Sequence, residues 1–384
     1  MSKKEKIDHF NPNGMASGNQ LFGLPFSEEE SDIVILPVPW EVTVSYRTGT
    51  AKAPSAILEA SKQVDLYDPD LQDAWKQGIF LRKVNKQMMK WGKDLRAKAN
   101  NYLSYLEEGL EPKEEKFLRK MRDQINIGSI GLNDWVREEM RSVLLKHKMP
   151  GLLGGDHSTP LGLMEALAEV YPEYGILQID AHCDLRKAYE GFEFSHASIM
   201  YNALKIKEIT KLVQVGIRDY CQEEIDVIRA SNGRVKTYFD ADLKRDVYGG
   251  TSWQTLCDSM VNQLPPLVYI SFDIDGLDPK LCPNTGTPVA GGLEFEQAVY
   301  LILKVVRSGR KIIGFDLNEV APGTTEWDAN VGARMLYKLC NLMGLSKKMY
   351  QDSSYNQLNE AVNKEAERIK RKNVEEDEDL ETAD

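Results

Sequence analysis

The sequence predicts an α/β fold in which helices cover both faces of a mainly parallel sheet. Six short apolar segments, each bounded by turn residues, are typical of strands buried on both faces. Helix-like stretches such as Leu161–Tyr171 and Glu294–Ser308 separate several of them, which is the βαβ pattern. The predicted strands are Ser31–Pro39, Met149–Leu153, Tyr174–Ile179, Lys211–Val215, Leu267–Phe272 and Lys311–Leu317.

Residues 82–124 interrupt this alternation and predict a helical insertion. Apolar side chains recur every three or four positions from Val84 to Leu106, so one face of a long helix is apolar. Gly109 and Pro112 should end that helix, and a second helix is expected around Lys113–Asp123. Such a hairpin suits packing on the main domain, and it equally suits a subunit contact or a cap near an active site.

The 384 residues divide into an N-terminal extension (1–30), a main domain (31–345), and a C-terminal helix with an acidic, disordered tail (346–384). The last eleven residues of the tail hold seven of the 11 net negative charges. The rest of the chain is nearly neutral and has no excess of positive charge, which argues against nucleic-acid binding. No apolar run reaches the roughly 18 residues of a membrane helix, and the N-terminus lacks the apolar core of a secretory signal. Five cysteines without a CxxC pair suit a reducing compartment, so we expect a cytoplasmic protein with no membrane partner.

Candidate functional residues follow the ends of four predicted strands. The first segment runs through Gly154 and Gly155, which permit a tight turn, to Asp156 and His157. That places His157 at the edge of the sheet where α/β folds bind ligands. A polar helix start, capped by Asp156 or Ser158, explains the same residues equally well.

The second segment ends in Asp180, His182 and Asp184. Alternate residues of an extended chain share a face, so these three side chains should converge. Two carboxylates and an imidazole that converge without water need a cation to balance them. A solvated turn is the alternative.

The third and fourth segments add three more acids. Asp273 and Asp275 are again alternate residues at a strand end, followed by a loop rich in Gly, Pro and Thr. Glu319 follows the last predicted strand, where it is either a surface acid or a partner for a cationic substrate.

The combined donor set predicts a pair of divalent metal ions. Four carboxylates and two imidazoles without a thiolate favour Mn²⁺ over Zn²⁺. Six ligands are too many for one ion that also holds water, so two ions about 3.5–4 Å apart fit better. Such a pair makes hydroxide available from water near neutrality, which implies hydrolysis. The proposed ligands are His157, Asp180, His182, Asp184, Asp273 and Asp275.

These residues resemble the motifs of the ureohydrolases, the family of arginase and agmatinase. The family's Gly-Gly-Asp-His, Asp-Ala-His-x-Asp and Ser-x-Asp-x-Asp-x-x-Asp-Pro motifs stand here as Gly154–His157, Asp180–Asp184 and Ser271–Pro279, and Thr285–Pro288 matches its Gly-Thr-Pro loop. The resemblance covers roughly residues 31–343. It implies a three-layer αβα, arginase-like fold, a catalytic domain over 31–345, and two Mn²⁺ per subunit, with Ni²⁺ as the alternative ion.

The resemblance also implies a role for each site residue. His157 and Asp184 would bind one ion, His182 and Asp275 the other, and Asp180 and Asp273 would bridge them. His196 would shuttle a proton to the leaving amine, because an imidazole titrates near neutrality. Glu319 would pair with the guanidinium of the substrate. Trp327 is a candidate wall beside that cation, although a core tryptophan near a helix start explains it too.

The segments 184–191, 195–198 and 40–50 look more like agmatinases than arginases, which favours hydrolysis of agmatine to putrescine and urea. Asn284, where the family's loop has Gly, keeps guanidine (with nickel), arginine and 4-guanidinobutyrate as alternative substrates. A two-metal phosphoesterase is disfavoured because Glu319 would repel phosphate, and a non-catalytic homologue because the ligands are intact. The family often forms trimers or hexamers, so we expect a homo-oligomer.

Overall fold

The computed structural model describes residues 1–16 and 18–350. Its centre is a single sheet of eight strands, and every neighbouring pair of strands runs parallel. The strands are β1 (Ile33–Val38), β2 (Ile79–Leu81), β3 (Met149–Gly154), β4 (Tyr174–Ile179), β5 (Ile209–Ile217), β6 (Val235–Phe239), β7 (Leu267–Asp273) and β8 (Lys311–Asn318). They lie in the order β2-β1-β3-β8-β7-β4-β5-β6, and all six predicted strands are confirmed.

The two strands that the sequence did not reveal, β2 and β6, form the two edges of the sheet. β2 has only three residues, which is too short to show a pattern. β6 has Lys and Thr side by side after its first residue and is mostly half-buried, because an edge strand has only one neighbour. The continuous apolar runs that identify central strands are therefore missing from both.

Both faces of the sheet are buried. In β1, Ile33 and Ile35 belong to one hydrophobic cluster, whereas Val34 and Leu36 belong to the other. This alternation is what a pleated strand with helices on both sides requires, so the predicted three layers are confirmed. Within the described residues no helix combines the length and apolarity needed to cross a bilayer.

Helices connect the strands and form the outer layers. They are α1 (Lys3–His9), α2 (Ala53–Ala60), α3 (Lys86–Glu107), α4 (Lys116–Leu145), α5 (Leu161–Ala168), α6 (Ile199–Ala203), α7 (Gln222–Ala230), α8 (Asp240–Tyr248), α9 (Trp253–Val261) and α10 (Phe295–Arg307). A further helix, α11, occupies residues 327–350 up to the end of the described chain. The predicted acidic tail lies outside the described residues.

The predicted helical insertion corresponds to α3 and the first part of α4. α3 ends before Gly109, as predicted, but α4 continues to Leu145 and packs along α5, so the expected end near Asp123 was wrong. The two helices approach closely where glycine leaves room. A Cβ atom at Gly128 would lie 2.3 Å from Leu95 Cδ1, and one at Gly131 would lie 2.4 Å from Trp91 Cη2. The hairpin is thus built into the main core.

Candidate metal centre

The predicted site residues meet at one edge of the sheet because all the strands are parallel. β3, β8, β7 and β4 are consecutive in the sheet, and their carboxyl ends lie side by side. His157 comes three residues after β3, Glu319 directly after β8, Asp273 at the end of β7, and Asp180 directly after β4. Ligands of α/β sheets bind at this edge.

The paired glycines after β3 are required for close approach rather than for an unusual backbone angle. A Cβ atom at Gly154 would lie 1.7 Å from Asn318 Oδ1, and one at Gly155 would lie 1.7 Å from the carbonyl oxygen of Trp40. Two neighbouring segments therefore press against this turn, which fixes the position of His157.

The imidazole of His157 faces three carboxylates. Its Nδ1 atom lies 3.0 Å from Asp180 Oδ2, 3.2 Å from Asp184 Oδ2 and 3.2 Å from Asp273 Oδ2, yet it meets none of them in hydrogen-bond geometry. A completely buried nitrogen with three acidic oxygens around it is the arrangement expected of a cation ligand.

A buried chain of hydrogen bonds orients the His157 ring. Its Nε2 atom lies 2.8 Å from Ser271 Oγ, and the Ser271 hydroxyl donates to Asp316 Oδ1 at 3.2 Å. Because the serine proton points to Asp316, Nε2 is the donor and the Nδ1 lone pair faces the carboxylates. Metal-binding histidines are held by such outer partners.

A second group forms around His182. Its Nδ1 atom lies 3.2 Å from Asp275 Oδ2 and 3.6 Å from Asp180 Oδ1. Each of two groups, one with His157, Asp180 and Asp273 and one with Asp180, His182 and Asp275, has its ligand atoms within 4.8 Å of one another and could hold an ion. Asp180 belongs to both groups.

Backbone amides hold these carboxylates in place without help from an ion. Asp180 accepts from the His182 amide at 2.7 Å, and Asp273 accepts from the Asp275 amide at 2.8 Å. Asp275 accepts from the Ala181 amide at 3.1 Å, which ties the β7 end to the β4 end. The donor set is therefore preformed, and its imidazoles and carboxylates fit divalent ions such as Mn²⁺.

The predicted convergence arises from turns rather than from an extended chain. Asp275 lies in a 3₁₀ turn over Ile274–Gly276, not on a strand. Asp184 adopts a left-handed backbone with φ of 55°, and Glu319 does so with φ of 62°. Non-glycine residues rarely adopt this conformation, and such strain is concentrated at functional sites.

The electrostatics of the centre are unfavourable without a cation. Burial, and then the charge of Asp180, raise the pKa of Asp184 to about 7. Burial followed by Asp275 and Asp180 raises the pKa of Asp273 well above its ordinary value. Burial opposes a charged His157, but its carboxylate contacts raise its pKa well above the usual value. The raised pKa values favour protonation of these ligands, so an ion that binds here competes with protons.

Glu319 is buried against the backbone of His157. Its Oε1 atom accepts from the His157 amide at 2.9 Å, and its backbone carbonyl accepts from Thr285 Oγ1 at 2.8 Å. A Cβ atom at Gly286 would lie 3.1 Å from Glu319 Oε2, so the loop passes directly over the carboxylate. Burial, and then Asp156, raise the pKa of Glu319 well above its ordinary value.

Asn284, where the family's loop has Gly, has a clear structural role. Its backbone amide and its side-chain amide each donate to the Asp328 carboxylate at 2.9 Å. This pair of hydrogen bonds fastens the loop before Thr285 to the start of α11.

His196 lines the pocket that also contains His182 and Asp184. Burial first, and then the charges of His182 and His157, lower the pKa of His196 to about 3. Withheld water and nearby positive charge both favour the uncharged imidazole, and a proton-carrier role for His196 stays a prediction. At neutral pH the imidazole is uncharged, which is the form that accepts a proton.

Trp327 lies at the start of α11 and is 47% exposed, so it is not a core residue. Its indole nitrogen donates to the Lys280 carbonyl at 3.0 Å. A contact of Trp327 with substrate stays a prediction.

Sequence reasoning missed several residues of the pocket and its surroundings. Asp219, Tyr220 and Glu224 line the pocket after β5, and Ser45 reaches it from the loop after β1. The signal for Asp219 was available, because it follows a predicted strand as the other site acids do. Ser45 gave none, since its loop has no pattern.

Comparisons of sequence and of structure with known proteins all find arginase-family enzymes. The sequence profile of the arginase family matches residues 31–341. The chain is 30% identical over 329 residues to the N(1)-aminopropylagmatine ureohydrolase of Thermus thermophilus, covering 83% of this chain and 92% of that protein. It is 28% identical over 325 residues to the agmatinase of Bacillus subtilis, with 83% and 93% covered. The solved agmatine ureohydrolase of Thermoplasma volcanium has a similar fold, with a TM-score of 0.63 at 23% identity over 90% of this chain and 99% of that one.

Proposed function

Since this chain belongs to the arginase family, we propose that it hydrolyses the guanidino group of agmatine to give putrescine and urea. The observation that carries this proposal is the pair of histidine–carboxylate groups that share Asp180. Its catalytic class, a metal-dependent hydrolase acting on guanidino groups, is that of the family. The agmatinase and aminopropylagmatine ureohydrolase relatives favour an amine-bearing substrate.

The two groups contain five of the six proposed ion ligands, and Asp184, whose Oδ2 atom lies 3.2 Å from His157 Nδ1, is the sixth. His157 and Asp184 would hold one ion and His182 and Asp275 the other, with Asp180 and Asp273 between them. We propose two Mn²⁺ per subunit, with Ni²⁺ as the alternative, because oxygen-rich sites with imidazoles accept both. The chemistry that two such ions supply is hydroxide at neutral pH.

Glu319 is the proposed partner of the substrate guanidinium. Its carboxylate is buried and has an elevated pKa, so a cation beside it is strongly favoured over solvent. The hydrogen bond from the His157 amide fixes one oxygen and leaves Oε2 under the Gly286 turn. Phosphate would be repelled at this position, which disfavours a phosphoesterase.

His196 is the proposed proton carrier. Its Nδ1 atom lies 3.3 Å from Ser195 Oγ, so Nε2 remains for proton transfer. Hydroxide adds to the guanidinium carbon, the bond to the amine nitrogen breaks, and that nitrogen needs a proton to leave as an amine. The neutral imidazole would take up the proton released by the nucleophile only transiently, because its low pKa makes it give that proton on to the leaving nitrogen.

The mouth of the pocket suits the ammonium group of agmatine, which is the second cation of that substrate beside the guanidinium. The side chain of Asp219 is 69% exposed and lies 4.0 Å from His182 Nε2. Arg186 also lines the mouth, but its guanidinium lies 4.9 Å from the Tyr189 ring centroid and 4.0 Å from Glu224 Oε2. Asp219 is therefore the exposed carboxylate among the acids that line this pocket, and we propose that it binds the distal amine.

Urea release by purified protein tests this function. After loading with Mn²⁺ or Ni²⁺, the protein is offered agmatine, N(1)-aminopropylagmatine, arginine, 4-guanidinobutyrate and guanidine. We expect agmatine to be turned over fastest and Asp180→Ala to abolish urea release and lower metal content. Asp246→Ala, an exposed aspartate on α8, is the matched control. No urea from any of the five, or cleavage of phosphate esters instead, would contradict the proposal.

Assembly and location remain proposals too. We propose a homo-oligomer, a trimer or hexamer, in the cytoplasm. Light scattering coupled to size-exclusion chromatography measures the assembly, and a monomer at assay concentration would contradict it.

A further inference from the structure

Arg96, on the inserted helix α3, binds a loop that reaches the catalytic pocket. Its Nη1 atom donates to the carbonyl oxygen of Val42 at 3.1 Å and also to that of Val44. The backbone of 42–45 lies outside every strand and helix. One arginine thus holds both sides of Thr43.

Thr43 connects this loop to the proposed proton carrier. Its side chain is completely buried, and Thr43 Oγ1 accepts a hydrogen bond from the His196 amide at 3.2 Å. The same hydroxyl lies 3.4 Å from Asp156 Oδ2. Two residues later, Ser45 lines the pocket beside His182 and His196. The segment therefore contacts the backbone of His196 and forms one wall of the pocket.

Arg96 makes few polar contacts other than those with the two carbonyls. Arg96 has no ion-pair partner within 4 Å among the described residues, and its Nε atom is buried without a hydrogen bond. Burial disfavours its charge, while the carboxylates of Glu41, Asp156 and Glu190 favour it. Arg96 therefore uses its buried charge to hold two backbone carbonyls in place and not to form an ion pair.

α3 is also held rigidly at this point. A Cβ atom at Gly92, one turn before Arg96, would lie 3.0 Å from Trp40 Cε3, so the helix packs directly against the start of the loop. Leu95 and Ala99, which flank Arg96, are buried in the core. The helix therefore provides a fixed support from which Arg96 reaches the loop.

We propose that Arg96 is a positioning residue that holds the Val42–Ser45 segment, and through Thr43 the backbone of His196, in the geometry that urea release requires. The proposal rests on the proposed function. It assigns the inserted helix α3 a catalytic purpose, because a misplaced proton carrier slows turnover while the ion ligands stay in place.

The first experiment compares three variants in the metal-loaded protein. Arg96→Leu should lower kcat for agmatine by about 10- to 100-fold, with KM changed less than about threefold and metal content unchanged. Arg96→Lys keeps the positive charge and a shorter donor, so its kcat should be at least a few-fold higher than that of Arg96→Leu. Lys93→Leu, on the same helix and without a described hydrogen bond or ion pair, is the control and should match the wild type.

A second readout does not depend on activity. The His196 amide donates to Thr43, so its hydrogen exchange reports whether the segment is held. Arg96→Leu should accelerate exchange in the peptide containing His196 by about tenfold, whereas Lys93→Leu should leave it unchanged. Thr43→Val should show the same acceleration, and combining it with Arg96→Leu should add little, since both break one connection.

The outcomes separate the two proposals. Wild-type protein that releases no urea would refute the proposed function and the role of Arg96 with it. Active wild type, with Arg96→Leu within twofold of its kcat and unchanged exchange at His196, would refute the positioning role alone. Loss of activity in proportion to loss of metal or of folded protein would also refute it, because the effect would then be structural.

Discussion

Ser271→Ala tests whether the buried relay behind His157 tunes the metal centre. The substitution removes the hydroxyl that accepts from His157 Nε2 at 2.8 Å and donates to Asp316 at 3.2 Å. Asp316 keeps the hydrogen bond from Asn318 at 2.6 Å, so its oxygen stays satisfied. Only the imidazole N–H loses its partner, in a place that solvent does not reach.

The magnitude follows from that single orphaned donor. A buried polar group without a partner costs about 1–3 kcal/mol, and about 1.4 kcal/mol corresponds to tenfold in affinity. Outer-shell partners of metal-binding histidines typically contribute about 10- to 100-fold. We therefore expect Ser271→Ala to bind Mn²⁺ about 10- to 100-fold more weakly, measured by titration of the chelated protein in a calorimeter.

Ser346→Ala is the matched control. Ser346 is also completely buried, accepts from the Ile312 amide at 3.0 Å and donates to the Met343 carbonyl at 2.7 Å. It lies by the beginning of β8, at the opposite edge of the sheet from the metal centre. Both variants should lose thermal stability, but only Ser271→Ala should lose metal affinity. Equal Mn²⁺ affinity in Ser271→Ala and the control would refute the relay.

Three further outcomes are expected. Glu319→Gln should lower kcat/KM for agmatine by at least about 100-fold while metal content stays unchanged, because the guanidinium loses a buried charged partner; a loss below tenfold would argue against that pairing. Gly286→Ala should raise KM for agmatine and have little effect on thermal stability, because the added Cβ would lie 3.1 Å from Glu319 Oε2; an unchanged KM would contradict this. In chelated protein, Asp184 has a folded pKa of about 7 against about 3.9 when unfolded, so stability should fall as pH rises through this window. Melting curves should show that fall in chelated protein and a weaker one after Mn²⁺ is added, with proton release on binding; parallel curves would contradict it.

The sequence was sufficient for the central strands and for the identity of the site acids. β4, for example, was predicted to the residue, because a strand covered on both faces is largely apolar and this one is followed at once by polar residues. β6 was missed because an edge strand tolerates Lys236 and Thr237. The end of α4 was missed because nothing in the chain marks Asp123 as different from the rest of a long amphipathic helix.

The geometry of the site was less accessible to sequence reasoning. Residue alternation suggested that Asp273 and Asp275 converge along a strand, whereas a 3₁₀ turn after β7 brings them together. Residue alternation also could not predict the left-handed backbone conformation of Asp184. Contacts such as that of Arg96 with the Val42 carbonyl join positions 54 residues apart and depend on how α3 packs, which no local pattern encodes.

The electrostatics of the metal centre depend both on which acids the sequence supplies and on how the fold holds them. Backbone amides hold Asp180, Asp273 and Asp275 in fixed positions, so the carboxylates cannot move apart to relieve their repulsion. Protons relieve it when no ion is bound, as the raised pKa values of Asp184 and Asp273 show. An ion that enters must displace those protons, so its affinity should rise with pH over the range in which apo stability falls. The repulsion that the fold preserves therefore becomes a source of metal affinity, and a site assembled from mobile side chains would lack it.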